Sequence, residues 1–276
     1  MPELEVNGVR LSYDLSGEGP VVALVAGRGM PRAWWTEDHV RPYRDAGYSV
    51  LRFDNRGMPP SESPRSSFTL SDLVDDAAAL LDALESSQVV LVGHSMGSLI
   101  VQELAHRRPD LVRAAAMVAT LARQPGWVDV FHRGMIALFE SGAEVPAELL
   151  LGTLFGQLYN PRELIDDQRV MPWLKELLSE PPWEDPGRVN QWRAYAGYRG
   201  DPAQLARITA PCLVVSFEND LIMPPVLGRE VAEAIPGARF VERPQAGHWG
   251  MILDPGPTHR IVLDFLREAG AAPPAP

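Results

Sequence analysis

Val89-Val90-Leu91-Val92-Gly93-His94-Ser95-Met96-Gly97-Ser98-Leu99-Ile100 passes from an unbroken apolar run, through a turn bounded by glycines, into residues with helical spacing. An apolar run of strand length is what a parallel strand covered on both faces requires, and Met96 to His106 reads as a helix closed ahead of Pro109. A serine between two glycines at such a junction fits G-x-S-x-G. In that pattern a strained turn holds the hydroxyl out at the carboxyl end of a strand, and the glycines let two backbones pass close to it. The bland alternative is a Ser-Gly turn without chemistry, and the strand and helix on either side weigh against it.

The same rhythm continues outward. Leu4-Glu5-Val6 and Val9-Arg10-Leu11 flank Asn7-Gly8, a strong hairpin signal because both turn positions need positive φ. Val21 to Ala26 and Tyr48 to Phe53 are further apolar strands, with a helical stretch after Arg32 between them. Asp72, Leu73, Asp76, Ala77, Leu80, Leu81 and Leu84 recur at helical spacing, with Ser71 as the expected cap. Arg113 to Thr120 is another strand, and Cys212 to Phe217, Val226 to Ile235, Arg239 to Glu242 and Thr258 to Glu268 resume the alternation. Alternating strands and helices imply right-handed βαβ units and a mostly parallel sheet, with the hairpin adding antiparallel strands at one edge. Between Leu121 and Gly200 the alternation stops. Val128 to Phe139, Ala147 to Leu158, Arg162 to Leu178 and Val189 to Tyr198 read as helices parted by prolines. The expected organisation is a core of residues 1–120 and 201–268, a helical insertion at 121–200, and a fraying tail at 269–276.

With 276 residues, 46% hydrophobic and 22% charged, the chain can bury a real core. A net charge of −11 without a basic block disfavours nucleic acid as a partner. Lys175 is the only lysine, and arginine carries the remaining positive charge, as G+C-rich bacterial genomes tend to encode. Cys212 stands alone, so no intramolecular disulfide can form, and its apolar surroundings make it a buried strand thiol. Met1 to Glu5 shows no secretory signal, and no apolar run approaches the roughly 18 residues of a membrane span. The expectation is a cytoplasmic protein that does not engage membranes; its oligomeric state is not written in the sequence.

A serine hydroxyl needs a base to take its proton. Of six histidines, His94 lies inside the turn, His106 and His132 lie on helices, His39 lies in a surface-like segment, and His259 opens the last helix. His248, in the short loop Ala246-Gly247-His248-Trp249-Gly250 directly after a strand, is best placed. The imidazole in turn needs a carboxylate to fix its tautomer. Asp220 follows the strand Cys212 to Ser216 and leaves room for a helix and a strand before His248; Glu218 is the runner-up. The chain order is then Ser95, Asp220, His248.

From Leu4 to Leu266 the chain resembles the α/β-hydrolase superfamily, in its serine-nucleophile, cap-bearing bacterial esterase and thioesterase branch. Phe53-Asp54-Asn55-Arg56-Gly57 resembles the loop after that fold's fourth strand, Arg108-Pro109-Asp110-Leu111-Val112 the close of its nucleophile helix, and Asp220-Leu221-Ile222-Met223-Pro224 its acid loop. The resemblance implies that residues 121–200 cap the site and that the backbone N–H groups of Met96 and Arg28 form an oxyanion hole. Relatives usually carry His-Gly where this chain has Ala26-Gly27, which puts the second donor in question. The Arg28 side chain either meets a substrate carboxylate or points to solvent, the latter being the more ordinary outcome. Trp127, Trp173, Trp183 and Trp192 fall in the insertion, Trp34 and Trp35 follow the oxyanion loop, and Trp249 adjoins His248. Trp34, Trp127 and Trp249 are the expected substrate contacts, although ordinary packing is the simpler account of any one of them. The implied reaction is hydrolysis of a small hydrophobic or aromatic ester or thioester through an acyl-enzyme on Ser95, in a role such as natural-product tailoring. The sequence has no metal-ligand spacing and no phosphate loop, and no cofactor is expected. A lyase, an acyltransferase, a cofactor-free oxygenase and a non-catalytic binding protein remain open alternatives.

Overall fold

In the computed structural model of the protein, residues 2–179 and 186–273 are described. The hairpin forms as Asn7-Gly8 dictates, joining β1 (Glu3–Val6) to β2 (Val9–Ser16), with Asn7 at φ 47° and Gly8 at φ 71°. The apolar runs become β3 (Val21–Val25), β4 (Ser49–Phe53), β5 (Val89–His94), β6 (Val112–Val118) and β7 (Cys212–Phe217), and β8 (Arg239–Arg243) closes the sheet. The order is β1-β2-β4-β3-β5-β6-β7-β8; β1, β2 and β4 pair antiparallel and every other neighbour pairs parallel. The result is an α/β-hydrolase fold.

The helices α1 (Glu37–Asp45), α2 (Leu70–Ala83) and α3 (Met96–Arg107) follow β3, β4 and β5. Residues 121–200 hold α4 (Gly126–Ser141), α5 (Ala147–Leu158), α6 (Pro161–Leu164), α7 (Asp167–Ser179) and α8 (Pro186–Tyr195). After them come α9 (Pro202–Leu205), α10 (Pro225–Ala234), α11 (Gly250–Leu253) and α12 (Pro255–Glu268). α1 packs with α12 and α2 with α3, so the sheet is covered on both faces. The chain leaves and re-enters the sheet through a narrow neck: Arg123 bridges Arg199, and the Gly200 N–H donates to Ala122 O at 2.7 Å. No helix among the described residues is long and apolar enough to cross a membrane.

Strand order fixes where a ligand can sit. From β3 the chain moves outward to β4 and then returns past β3 to β5, so the connections of β3 and β5 run in opposite directions. That switch point opens a crevice at the strands' carboxyl ends, where the loop carrying Arg28 and the turn carrying Ser95 both emerge.

Several expectations need correction. The cap of α2 is Thr69, in a reciprocal box with Asp72, and Ser71 lies inside the helix. The stretch Arg162 to Leu178 is two helices, because the Asn160 side chain starts α6 and Ile165-Asp166 ends it. Within the expected tail, residues 269–273 are docked. Ala271 is buried, its carbonyl accepts from Tyr48 Oη at 3.1 Å, and the Arg113 guanidinium reaches the carbonyls of Gly270 and Ala272. Cys212 is a buried strand thiol, as read, and burial pushes its pKa up to about 12.

Candidate active site

Ser95 sits between β5 and α3 at φ 57°, a region an L-residue enters at a cost of about 1–3 kcal/mol. The surroundings enforce it. Ser95 N donates to Val118 O at 3.0 Å, and Ser95 O accepts from the Ser98 amide at 2.8 Å and lies 2.6 Å from the Ser98 hydroxyl. A Cβ on Gly93 would strike the Gly97 backbone, and one on Gly97 would strike Val25 O, so both positions of the motif require glycine.

His248 enters from the loop after β8. Its Nε2 lies 2.9 Å from Ser95 Oγ and its Nδ1 2.7 Å from Asp220 Oδ2, with all three residues buried. A carboxylate can only accept, so the proton of neutral His248 resides on Nδ1 and the Nε2 lone pair faces the serine. Asp220 is itself held: its Oδ1 accepts from the amides of Ile222 and Met223 at 2.9 and 2.8 Å. Asn219 N donates to Ala246 O, tying the acid loop to the histidine loop. Glu218 is exposed and turned away, accepting from Gln245 N at 2.7 Å. A hydroxyl in this setting can pass its proton to the imidazole.

The histidine loop is braced from the helical segment. Trp249 N donates to Leu158 O at 2.9 Å and Asn160 Nδ2 donates to Gln245 O at 2.8 Å. From below, His94 Nε2–H donates to the His248 carbonyl at 2.9 Å; burial and the neighbouring His248 lower the His94 pKa to about 3, so it stays neutral.

Met96 is the first residue of α3, where a helix leaves its N–H groups without intrahelical partners. A Cβ on Gly27 would lie 3.2 Å from Ser95 Cβ, so the following Arg28 amide emerges beside the serine. Neither amide meets an acceptor among the described residues, whereas the adjacent Gly29 N–H is taken by Gln191 Oε1 at 2.7 Å. Met96 adjoins Ser95 in sequence and Arg28 follows the Gly27 backbone packed on it, and open N–H donors at such places are what an oxyanion hole requires.

Above them lies a cavity of about 200 Å³, lined by Ser95, His248 and side chains of α4, α5, α7 and α8. Trp34 and Trp249 line it, edge to face at 5.3 Å, and Trp173 packs on both. Trp127 does not: at the start of α4 it is 49% exposed and faces away from the cavity lining. Trp183 lies outside the described residues. His39 is buried rather than surface-like, its Nε2 3.2 Å from Met251 O. Trp192 and Tyr195 also line the cavity. Their i, i+3 spacing, which shares one helix face, was the available signal for Tyr195. His132, Gln124 and Gln191 join the site from separate segments and leave no local trace in the sequence. Among the described residues no three His, Cys, Asp or Glu side chains converge as a metal-ligand set.

Serine, acid and histidine thus enter in that chain order at the carboxyl ends of strands of one sheet, the arrangement of an α/β hydrolase. The chain belongs to this family: the alpha/beta hydrolase fold family matches residues 20–255. Among its relatives is a protein of Mycobacterium tuberculosis provisionally named non-heme bromoperoxidase BpoC, 34% identical over 263 residues, covering 95% of this chain and 100% of the relative. The crystal structure of BpoC from the H37Rv strain superposes with a TM-score of 0.88 at 33% identity, over 94% of this chain and 96% of that one. The enol-lactonase of Burkholderia xenovorans LB400 superposes at 0.83 with 27% identity, over 96% and 100% of the two chains. A protein of Pseudomonas savastanoi pv. phaseolicola provisionally named carbamate hydrolase RutD is 26% identical over 253 residues, 90% of this chain and 94% of its own.

Proposed function

We propose that the protein is a serine hydrolase that cleaves an ester or thioester of a hydrophobic or aromatic acyl compound, in a role such as natural-product tailoring. The observation that carries this reading is the buried relay from Ser95 Oγ through His248 to Asp220, at 2.9 and 2.7 Å, opening into an apolar cavity. Ser95 Oγ attacks the carbonyl carbon as His248 Nε2 takes its proton, and the N–H groups of Met96 and Arg28 receive the developing oxyanion. His248 then protonates the leaving oxygen or sulfur, and water releases the acyl group by the same route. Residues 121–200 act as the cap and residues 1–120 with 201–268 as the core. The substrate is a small molecule.

Treatment with a small fluorophosphonate followed by intact-mass measurement tests this. One adduct is expected on the wild type and none on Ser95→Ala or His248→Ala. A folded wild type without adduct, together with no turnover of an ester and thioester panel, would refute it.

A second reading is favoured by the kinship to a protein named non-heme bromoperoxidase. Hydrogen peroxide could replace water at the acyl-enzyme, giving the peracid and free Ser95. Peracid formed from a carboxylic acid and peroxide, and lost in Ser95→Ala, would support it.

A further inference from the structure

Arg28 brings a full positive charge to a cavity wall that is mostly aromatic and aliphatic. Its guanidinium carbon lies 3.3 Å from the centroid of the Trp192 ring, and its Nε donates to Tyr195 Oη at 3.4 Å. It forms no ion pair among the described residues. Other arginines drawn in from solvent do: Arg32 and Arg52 pair with Asp14, Arg56 with Asp76, and Arg243 with Asp254. Among the described residues, the single acid in the cavity lining, Glu176, is exposed and forms no ion pair with Arg28. A cation held in an apolar wall without a counter-ion is costly unless something supplies the charge.

The hydrogen bonds around Tyr195 add a second donor. Gln124 Oε1 accepts from Gly197 N at 2.8 Å and its Nε2 donates to Tyr195 O at 2.7 Å, which fixes the amide's orientation. That same Nε2 faces His132 Nδ1 at 3.4 Å, so Nδ1 is the acceptor and the His132 proton sits on Nε2. Burial and the charge of Arg28 hold His132 neutral, its pKa lowered to about 3. His132 Nε2–H then donates to Tyr195 Oη at 3.1 Å, beside the donation from Arg28 Nε. With both lone pairs engaged, the phenol's own hydrogen is left to donate into the cavity that Tyr195 lines. The corner offers donors only.

We propose that Arg28 and Tyr195 form a subsite for a carboxylate on the acyl part of the substrate, so that the enzyme selects half-esters or half-thioesters of dicarboxylic acids over neutral acyl compounds. The fork of a guanidinium matches a carboxylate, and the Tyr195 hydroxyl caps one of its oxygens. The aromatic wall takes the apolar body between the two ends. This assignment rests on the hydrolase reading above, and it names the charge that the reading left open.

The test has a kinetic arm and a binding arm. Rates of hydrolysis are compared for 4-nitrophenyl hydrogen adipate and 4-nitrophenyl hexanoate, which match in length and differ in the terminal charge. The wild type is expected to favour the anion in kcat/KM by about 10- to 100-fold, as one charge-assisted contact would give. Arg28→Met should abolish that ratio, Tyr195→Phe should reduce it, and Arg28→Lys should retain part of it. The same ranking is expected when monoethyl adipate and ethyl hexanoate are titrated onto Ser95→Ala and followed by tryptophan fluorescence. The second arm needs no turnover, so anion-selective binding by a protein that takes no fluorophosphonate would keep the subsite and discard the hydrolase reading. No preference for the anion in the wild type, or a preference unchanged in folded Arg28→Met, would overturn the subsite and leave Arg28 as a brace between Trp192 and Tyr195.

Discussion

Asp220 divides its two oxygens between two tasks. Oδ1 takes the amides of Ile222 and Met223, and Oδ2 is left for His248. In Asp220→Asn the carbonyl would keep the two backbone amides, and the NH2 group would face His248 Nδ1. That forces the imidazole proton onto Nε2, where it cannot accept from Ser95. We expect kcat to fall about 10⁴-fold with little change in Tm, as wrong-tautomer variants do. Glu218→Gln, at the runner-up acid, should change kcat by less than about tenfold, because among the described residues that exposed side chain meets Gln245 N and not His248. Steady-state kinetics on the two variants separates the roles. At this scale the sequence was informative where chemistry and sterics act locally. Gly93, Ser95 and Gly97 declare themselves because no other residue fits the first and last of those backbone positions. Trp127 misled because composition reveals an aromatic but not which face of α4 turns inward.

The elements are joined to the site by side chains that cross between them. From α8, Gln191 donates to Arg56 O at 2.8 Å and accepts from Gly29 N at 2.7 Å, while Asn190 Nδ2 lies within 3.5 Å of the carbonyls of Pro64, Arg65 and Ser66. Gln191 therefore clamps the loop that carries the Arg28 amide. Gln191→Leu fills similar space but leaves the half-buried Gly29 amide and Arg56 carbonyl without that partner, at up to about 1 kcal/mol each. We expect a lower Tm and a kcat reduced by about 10- to 100-fold, through a looser second oxyanion donor. Reactivity toward fluorophosphonate should slow in parallel, and an unaltered kcat in a folded Gln191→Leu would show that the clamp does not position the loop. None of this was legible beforehand, since Gln191 and Gly29 meet across |i−j| = 162. The strands were legible because a strand covered on both faces must be apolar along its length. The α2 start was misplaced at Ser71 because Thr69-x-x-Asp72 is a weaker pattern than the apolar periodicity that follows it.

Across the whole molecule, burial of neutral histidines sets the response to acid. Burial lowers His94, His132 and His259 to about 3 and His39 to about 4. In the unfolded chain each titrates near about 6.5. Between those values the unfolded state binds more protons than the folded one, so stability rises with pH. The contribution is complete above about pH 6.5 and is lost progressively as pH falls toward about 3, or about 4 for His39, each histidine adding a slope of up to about 1.4 kcal/mol per pH unit. Buried Asp54 and Asp76 act in the opposite sense: desolvation raises their pKa values, so from the unfolded value of about 3.9 upward the folded state holds their protons longer, which offsets part of the histidine slope at the acid end. We therefore expect Tm to drop steeply from pH 6.5 to 4.5. His259→Gln, which removes one such group and its contact with Tyr43 Oη at 2.9 Å, should be less stable at pH 7 yet show a shallower slope. Urea unfolding at half-unit pH steps measures that slope as a proton count. A difference of about one proton between wild type and His259→Gln assigns the acid sensitivity to buried neutral histidine, and an identical slope would move it to the carboxylates.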